Sequence, residues 1–147
     1  NSVDQMQLCI ETVRKCNKIA EVCISFTGDF LSPDEKIYTL EYFKDLAKRI
    51  TDAGAHIIGI KDMAGLMKPQ MVVPFVNAIR SVTDLPLHFH THNTSSAALS
   101  TVINMANNGC DVVGKLDDIL VFLKLGIIDS FQIWQWLPWR IPLPSLL

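Results

Sequence analysis

The chain has 147 residues, which is enough for one domain with a buried core. Its 13 Lys and Arg residues and 15 Asp and Glu residues give a formal net charge of -2 without a basic stripe, so nucleic acid is not an expected partner. Hydrophobic residues make up 49% of the sequence, but no apolar run reaches the length of a membrane span and no signal-peptide pattern is present. We therefore expect a soluble protein that does not contact a membrane.

The first half of the sequence alternates between helical and strand patterns. Ser2 and Gln5 have the spacing of a capping box and predict a first helix that ends near Asn17. Residues 20–26 are apolar and include β-branched side chains, which predicts a buried strand. Thr39 is then placed to cap a second amphipathic helix.

The alternation continues after this helix. Gly54 ends it, and residues 56–60 are predicted to form the second strand, with Lys61 at its carboxyl end. Residues 69–82 predict a third helix that opens on a proline, while Pro74 is expected to shift its start or bend its first turns.

The third strand is predicted over residues 87–91. Thr94 or Ser95 is expected to cap a fourth helix that runs through Met105, and residues 110–113 form a fourth short strand. Strands of this spacing, separated by amphipathic helices, predict an α/β fold with a parallel sheet. A complete (β/α)₈ TIM barrel needs about 250 residues, so four βα units make an incomplete barrel.

The alternating pattern fails beyond residue 113. Residues 116–128 are apolar enough for a helix, and the last part of the chain contains all three Trp and three Pro residues. We therefore assign residues 1–113 to a partial barrel domain and residues 114–147 to a divergent tail. This tail is interpreted as non-native sequence, with an aromatic docking peptide as the alternative.

The four cysteines fall inside helical or strand patterns and form no CxxC pair. We expect them to be small buried apolar residues and not a disulfide framework or a zinc cluster. They are Cys9, Cys16, Cys23 and Cys110.

Three histidines follow the alternating period of the third strand. His88, His90 and His92 should point to one face near the end of that strand, and neutral imidazoles so placed bind metals such as zinc. The alternative is a polar surface strand. Lys61, at the end of the neighbouring strand, is a candidate nucleophile that could form a Schiff base or a carbamate. The alternative is an ion pair with Asp62 or with a neighbouring loop carboxylate.

Three motifs carry a resemblance to a known family. The residues are EVCISFTGD at 21–29, GIKDMAGLMKP at 59–69 and LPLHFHTH at 85–92. Together they strongly resemble the carboxyltransferase domain of the pyruvate carboxylase family over residues 1–113. The oxaloacetate decarboxylase α subunit and the transcarboxylase large subunit share the Lys-Asp-Met-Ala element but resemble the other two motifs less.

The resemblance implies a divalent metal, zinc or manganese, bound by Lys61 as a carbamate and by His90 and His92. His88 would be a packing residue one layer deeper. In the family, an aspartate ligand and a pyruvate-binding arginine come from strands before the matched region, and a proton-shuttling threonine comes from beyond it. No catalytic residue is therefore assigned within this chain.

The resemblance also implies an enzyme, a ligase whose barrel transfers a carboxyl group from carboxybiotin to pyruvate to form oxaloacetate. Biotin would be supplied by a carrier domain, and ATP would be used by a biotin carboxylase domain, both elsewhere in a homotetrameric parent protein of pyruvate metabolism and gluconeogenesis. The location implied is the mitochondrial matrix in a eukaryote and otherwise the cytoplasm.

Two residues depart from the family pattern, and two other functions stay open. Asn93 and Ser96 stand where the family usually has Asp and Gly, and an amide cannot supply the negative charge that tunes an imidazole ligand. The first alternative is a metal-dependent lyase or acyl-condensing enzyme of the same barrel type, which the Lys-Asp-Met-Ala segment disfavours. The second is a truncated, non-catalytic remnant.

Overall fold

A computed structural model describes residues 2–92, 94, 96–115 and 122–123. Helices and strands alternate along most of this part of the chain. The helices are α1 (Val3–Lys15), α2 (Leu40–Asp52), α3 (Val72–Arg80), which a 3-10 turn (Pro69–Met71) precedes, and α4 (Ala98–Asn107). The strands are β1 (Glu21–Ser25), β2 (Ile57–Asp62), β3 (Leu87–Thr91), β4 (Val112–Lys115) and β5 (Phe122–Leu123).

The strands form one sheet in chain order, β1-β2-β3-β4-β5. Neighbouring strands from β1 to β4 are parallel, and β5 pairs antiparallel with β4. Each parallel neighbour follows its predecessor through a helix, which is the winding of a (β/α) barrel. The predicted α/β class with four parallel βα units is confirmed.

One face of the sheet holds the hydrophobic core. Ile24, Ile60 and Phe89 each have 0% of their surface exposed. They lie under the helices, where Phe43 and Phe75 pack with their ring centroids 5.3 Å apart. The alternate residues along the same strands point to the other face and stay exposed or half-buried, because successive side chains of a strand point in opposite directions.

The predicted helix caps have different outcomes. Thr39 caps α2 as expected, since its side chain accepts a hydrogen bond from the backbone N–H of Tyr42. Ser2 precedes α1, but its side chain makes no capping bond. The predicted start of α4 at Thr94 or Ser95 is wrong: the helix begins at Ala98, because Ser96 has φ = 58° and a left-handed residue cannot belong to a right-handed helix.

Element boundaries elsewhere differ by a few residues. The 3-10 turn begins at Pro69 and Pro74 lies in the first turn of α3, so the predicted shift of the helix start is confirmed. Strand β4 runs to Lys115, two residues past its predicted end. Phe122 and Leu123 form a strand and not the helix considered for residues 116–128. The predicted tail after Leu123 lies outside the described residues.

The prediction that all four cysteines are buried is wrong for three of them. Cys9, Cys16 and Cys23 are exposed, while Cys110 is buried and all four thiols are free. Burial raises the pKa of the Cys110 thiol to about 12, so this cysteine remains protonated and acts as a small apolar side chain. No helix in the described part of the chain combines the length and apolarity needed to cross a membrane.

Candidate metal centre

The candidate site lies at the carboxyl ends of β2 and β3, on the face of the sheet that the helices do not cover. Lys61 and His90 are partners in the parallel register of these two strands. Their side chains therefore leave neighbouring strands on the same side, next to one another. His92 follows the last residue of β3.

The two predicted histidine ligands face each other. The Nε2 atoms of His90 and His92 are 3.3 Å apart, and their rings meet nearly at right angles. Two nitrogens bound to one tetrahedral metal at about 2.0–2.1 Å would be separated by about 3.3–3.4 Å. The pair thus has the spacing that a shared tetrahedral ion requires.

The electrostatic surroundings keep His90 neutral. Burial lowers the pKa of its imidazole below the ordinary value, and the charges of His92, His88 and Lys61 act in the same direction. A neutral imidazole retains a free lone pair at neutral pH, and this lone pair is what binds a metal ion. The donor set of two imidazoles, with a lysine beside them, fits the implied divalent metal.

Asp62 braces this site from the opposite face of β2. Its carboxylate is only 1% exposed and accepts hydrogen bonds from the backbone N–H groups of Leu66 at 2.8 Å and Met67 at 3.1 Å. It also accepts one from Oγ1 of Thr91, at 3.1 Å. Because Asp62 follows Lys61 and Thr91 lies between the two histidines, one carboxylate links the two strand ends that carry the predicted ligands.

A second pair supports the layer beneath the histidines. Nδ1 of His88 lies 2.7 Å from Oε1 of Glu21, so β1 and β3 are linked across β2. The link passes over Gly59, where an added Cβ would come within 2.6 Å of Cys23 Sγ and 2.9 Å of Glu21 Oε1. The absence of a side chain at Gly59 is what lets Glu21 reach His88.

The loops after β1 and β2 are joined near the site. Asp29 forms an ion pair with Lys68 at 2.5 Å, and this bond lowers the pKa of the Asp29 carboxyl. Gly28 turns the chain with φ = 76°, where a Cβ would lie 2.6 Å from the Glu35 carboxylate. The Phe-Thr-Gly-Asp turn therefore requires glycine for both its backbone conformation and its contacts.

The predicted site residues are thus partly assembled. His90 and His92 meet, and Lys61 adjoins His90 without pairing with Asp62, whose carboxylate is used by the loop. Within the described ranges, no group of three His, Cys, Asp or Glu side chains is placed to hold a metal ion. Asn93 lies outside the described residues.

Sequence reasoning missed two features of the site. Asp62 was considered only as an ion-pair partner of Lys61, although an Asp followed by a Gly-containing turn is a common acceptor for turn N–H groups. The contact between Glu21 and His88 joins residues 67 positions apart, and no local sequence pattern predicts such a contact.

The HMGL-like family model matches residues 1–115 of the chain. Pyruvate carboxylase of Staphylococcus aureus is 45% identical over 114 residues, which is 77% of this chain and 10% of that protein. Pyruvate carboxylase of Bacillus subtilis is 42% identical over 130 residues, or 88% of this chain and 11% of the relative. The mouse relative, named mitochondrial pyruvate carboxylase, is 42% identical over 77% of this chain and 10% of its own length.

Solved structures give the same result. The carboxyl transferase domain of Rhizobium etli pyruvate carboxylase, determined with pyruvate, superposes with a TM-score of 0.75 at 41% identity. The match covers 79% of this chain and 20% of that domain. The chain therefore spans about a tenth of the length of the curated relatives and a fifth of the solved domain.

Proposed function

The chain belongs to the HMGL-like family and is homologous to part of the carboxyltransferase domain of pyruvate carboxylase, and from this premise we propose that it supplies part of a metal-dependent carboxyltransferase site. The reaction is transfer of a carboxyl group from carboxybiotin to pyruvate, which gives oxaloacetate. The observation that carries the proposal is the convergence of His90, His92 and Lys61 at two adjacent strand ends.

His90 and His92 would bind the metal, zinc or manganese, through Nε2. Lys61 would complete the set as a carbamate. Its ammonium group would lose one proton, and the neutral amine would then add to carbon dioxide with formation of a C–N bond and loss of a second proton, so that a cation becomes an anionic oxygen ligand. When bound, the metal polarises oxygen atoms and stabilises the negative charge of an enolate. Asp62 positions both strand ends through its bonds to Leu66, Met67 and Thr91.

The remaining participants belong to the parent protein that this chain resembles. Pyruvate and carboxybiotin are the proposed substrates, and biotin carboxylase and carrier domains, which use ATP and biotin, are the proposed partners within a homotetramer. The further domains are supported by a solved structure from Rhizobium etli, a complete multifunctional pyruvate carboxylase, of which one part is similar to this chain. The mouse relative is mitochondrial by name, so we propose the mitochondrial matrix for a eukaryotic source and the cytoplasm for a bacterial one.

The identity to pyruvate carboxylases at 41–45% favours this reaction over the lyase or acyl-condensing alternative. The non-catalytic alternative applies to the 147-residue chain by itself. In the described residues, Lys61, Cys23 and Ser25 stay exposed on the uncovered sheet face. We therefore expect this chain alone to show no carboxyl transfer, and measurable oxaloacetate decarboxylation by it would contradict that expectation.

Metal content tests the ligand assignment. In a full-length enzyme that contains this segment, His90→Ala combined with His92→Ala should reduce the bound metal from stoichiometric to background amounts, because two of its nitrogen ligands are lost. His56→Gln is the control, since His56 precedes the other end of β2, and it should leave the metal in place. Stoichiometric metal in the double variant would overturn the assignment.

The carbamate is tested separately. Protein equilibrated with ¹³C-labelled carbon dioxide should show a carbamate carbon resonance that disappears in Lys61→Met. If wild type lacks the resonance while the histidine variant still loses its metal, the two imidazoles are ligands and the role of Lys61 is wrong.

A further inference from the structure

A cleft of about 400 Å³ opens at the amino-terminal ends of the strands, opposite the candidate metal centre. It lies between the segment that follows α1 and the start of β2. Its lining residues are Arg14, Asn17, Lys18, Ile19 and His56. It is an open surface cleft, because four of these residues are exposed and only His56 is half-buried.

The hydrogen bonds of His56 fix where its proton lies. The backbone N–H of Ala20 donates to Nδ1 of His56 at 2.9 Å, and an amide N–H can only donate. Nδ1 therefore carries no proton, and the proton of the neutral ring is on Nε2. His56 presents an N–H donor to the cleft.

A second donor faces the first. Nη1 of Arg14 lies 3.4 Å from Nε2 of His56. Arginine has no acceptor atom, and Nε2 of His56 carries the ring proton. The contact therefore brings two N–H donors together and is not a hydrogen bond. Arg14 is held in position because the same nitrogen donates to the carbonyl oxygen of Gly54 at 2.7 Å.

The charged side chains that line the cleft are all cationic. Arg14 and Lys18 are cationic, the amide of Asn17 offers two more donors, and no Asp or Glu is among the lining residues. Arg14 and His56 are adjacent donors, Lys18 adds a second positive charge, and one oxygen-rich anion would satisfy all three; the planar arginine fork suits a phosphate or carboxylate group.

We propose that this cleft binds the oxyanion of a small phosphate- or carboxylate-bearing molecule, held between Arg14 and His56 and reinforced by Lys18. Lys61 lies five positions after His56, a distance of about 16 Å along a strand. The occupant therefore does not contact the metal ligands, and the site is independent of the function proposed above.

Calorimetric titration of the 147-residue chain with inorganic phosphate, at constant ionic strength, tests the site. We expect saturable binding at one site, and Arg14→Gln should weaken it at least tenfold because the charged fork is lost. Lys44→Gln, which removes the same charge from the exposed side of α2, is the matched control and should bind as wild type does.

Acetate is titrated in parallel to identify the source of the oxyanion. Tighter binding of phosphate indicates a phosphorylated molecule, and equal or tighter binding of acetate indicates a carboxylate. Absence of saturable binding by both anions overturns the proposal, as does equal weakening in Arg14→Gln and Lys44→Gln. If Arg14→Gln loses its helical circular dichroism, Lys18→Gln decides instead: weakening of at least threefold supports the site, and unchanged affinity overturns it.

Discussion

The two faces of the sheet share the same strands but have opposite chemistry. Toward the helices, β3 presents Leu87 and Phe89, both 0% exposed, whereas toward the other side it presents His88 and His90, both half-buried. The first face holds the fold together by excluding water. The second carries ionisable groups that the core does not need, so its residues can serve chemistry at small cost in stability. Five substitutions or deletions test how separate these two faces are.

Phe89→Ala should have the largest effect on stability. The ring is fully buried against the helices, and its removal leaves a cavity that costs about 3–5 kcal/mol in free energy of unfolding. Urea unfolding at low protein concentration, followed by circular dichroism, measures the change. Leu99→Ala, at a side chain 68% exposed, is the control and should stay within about 0.5 kcal/mol.

Asp62→Ala should have the second largest effect on stability, because Asp62 is a charged residue on the buried face of the sheet. The substitution leaves two backbone N–H groups and the Thr91 hydroxyl without their acceptor, and the expected loss is about 3 kcal/mol. In a full-length enzyme it should also weaken metal retention, since both strand ends lose their brace. Asp84→Ala, at an exposed position, provides the comparison. Equal urea midpoints for the two variants would show that the brace is unimportant.

Gly59→Ala tests how tightly the side chains pack on the uncovered face of the sheet. A Cβ there would force Cys23 and Glu21 to move and break the contact with His88, at a cost of about 1–2 kcal/mol. Gly114→Ala is the matched control, because its Cβ would meet His88 Nε2 at an ordinary 3.6 Å. Equal stabilities of the two variants in urea would mean that the uncovered face tolerates any packing.

Ser96→Gly should raise the free energy of unfolding by about 1 kcal/mol. Ser96 has φ = 58°, a left-handed conformation that glycine adopts without the strain of a Cβ. Ser100→Gly, inside α4, should have the opposite sign, because glycine weakens a helix by a similar amount. A destabilised Ser96→Gly variant would show that the serine side chain makes a compensating contact.

Deletion of residues 124–147 should have the smallest effect, below about 0.5 kcal/mol. The family model ends at residue 115, although the alignment with the Bacillus subtilis relative continues past the predicted boundary at residue 113. The assignment of a separate tail therefore stays a prediction. A loss of stability as large as that of Phe89→Ala would show that the tail is part of the fold.

The sequence predicted the order and type of the four strands and four helices because side-chain periodicity is a local property. It did not predict which face of each element is covered. Cys23 alternates correctly with Val22 and Ile24, yet it lies on the uncovered face with Lys61 and is exposed. The burial of a strand position depends on what packs above it, and that is decided by the whole sheet.

The candidate site could be predicted from the sequence to a similar extent. The proximity of Lys61, His90 and His92 follows from strand ends meeting at one edge of a parallel sheet. The carboxylate of Asp62 and the strain at Ser96 were not predicted, because they depend on loop conformation. For Ser96, the left-handed φ gives a physical reason for the glycine that the family resemblance implies at this position.

The antiparallel strand β5 has a consequence for self-association. Growth of a sheet by addition of further molecules needs a free row of N–H and C=O groups at both margins. Val112 and Val113 of β4 already pair with β5, so that margin is occupied along half of β4. The opposite margin, along β1, has no strand beside it in the described structure. Pairing with β5 moves that edge outward and does not close it, so backbone pairing between molecules should begin at β1, where the edge strand has five residues and not two.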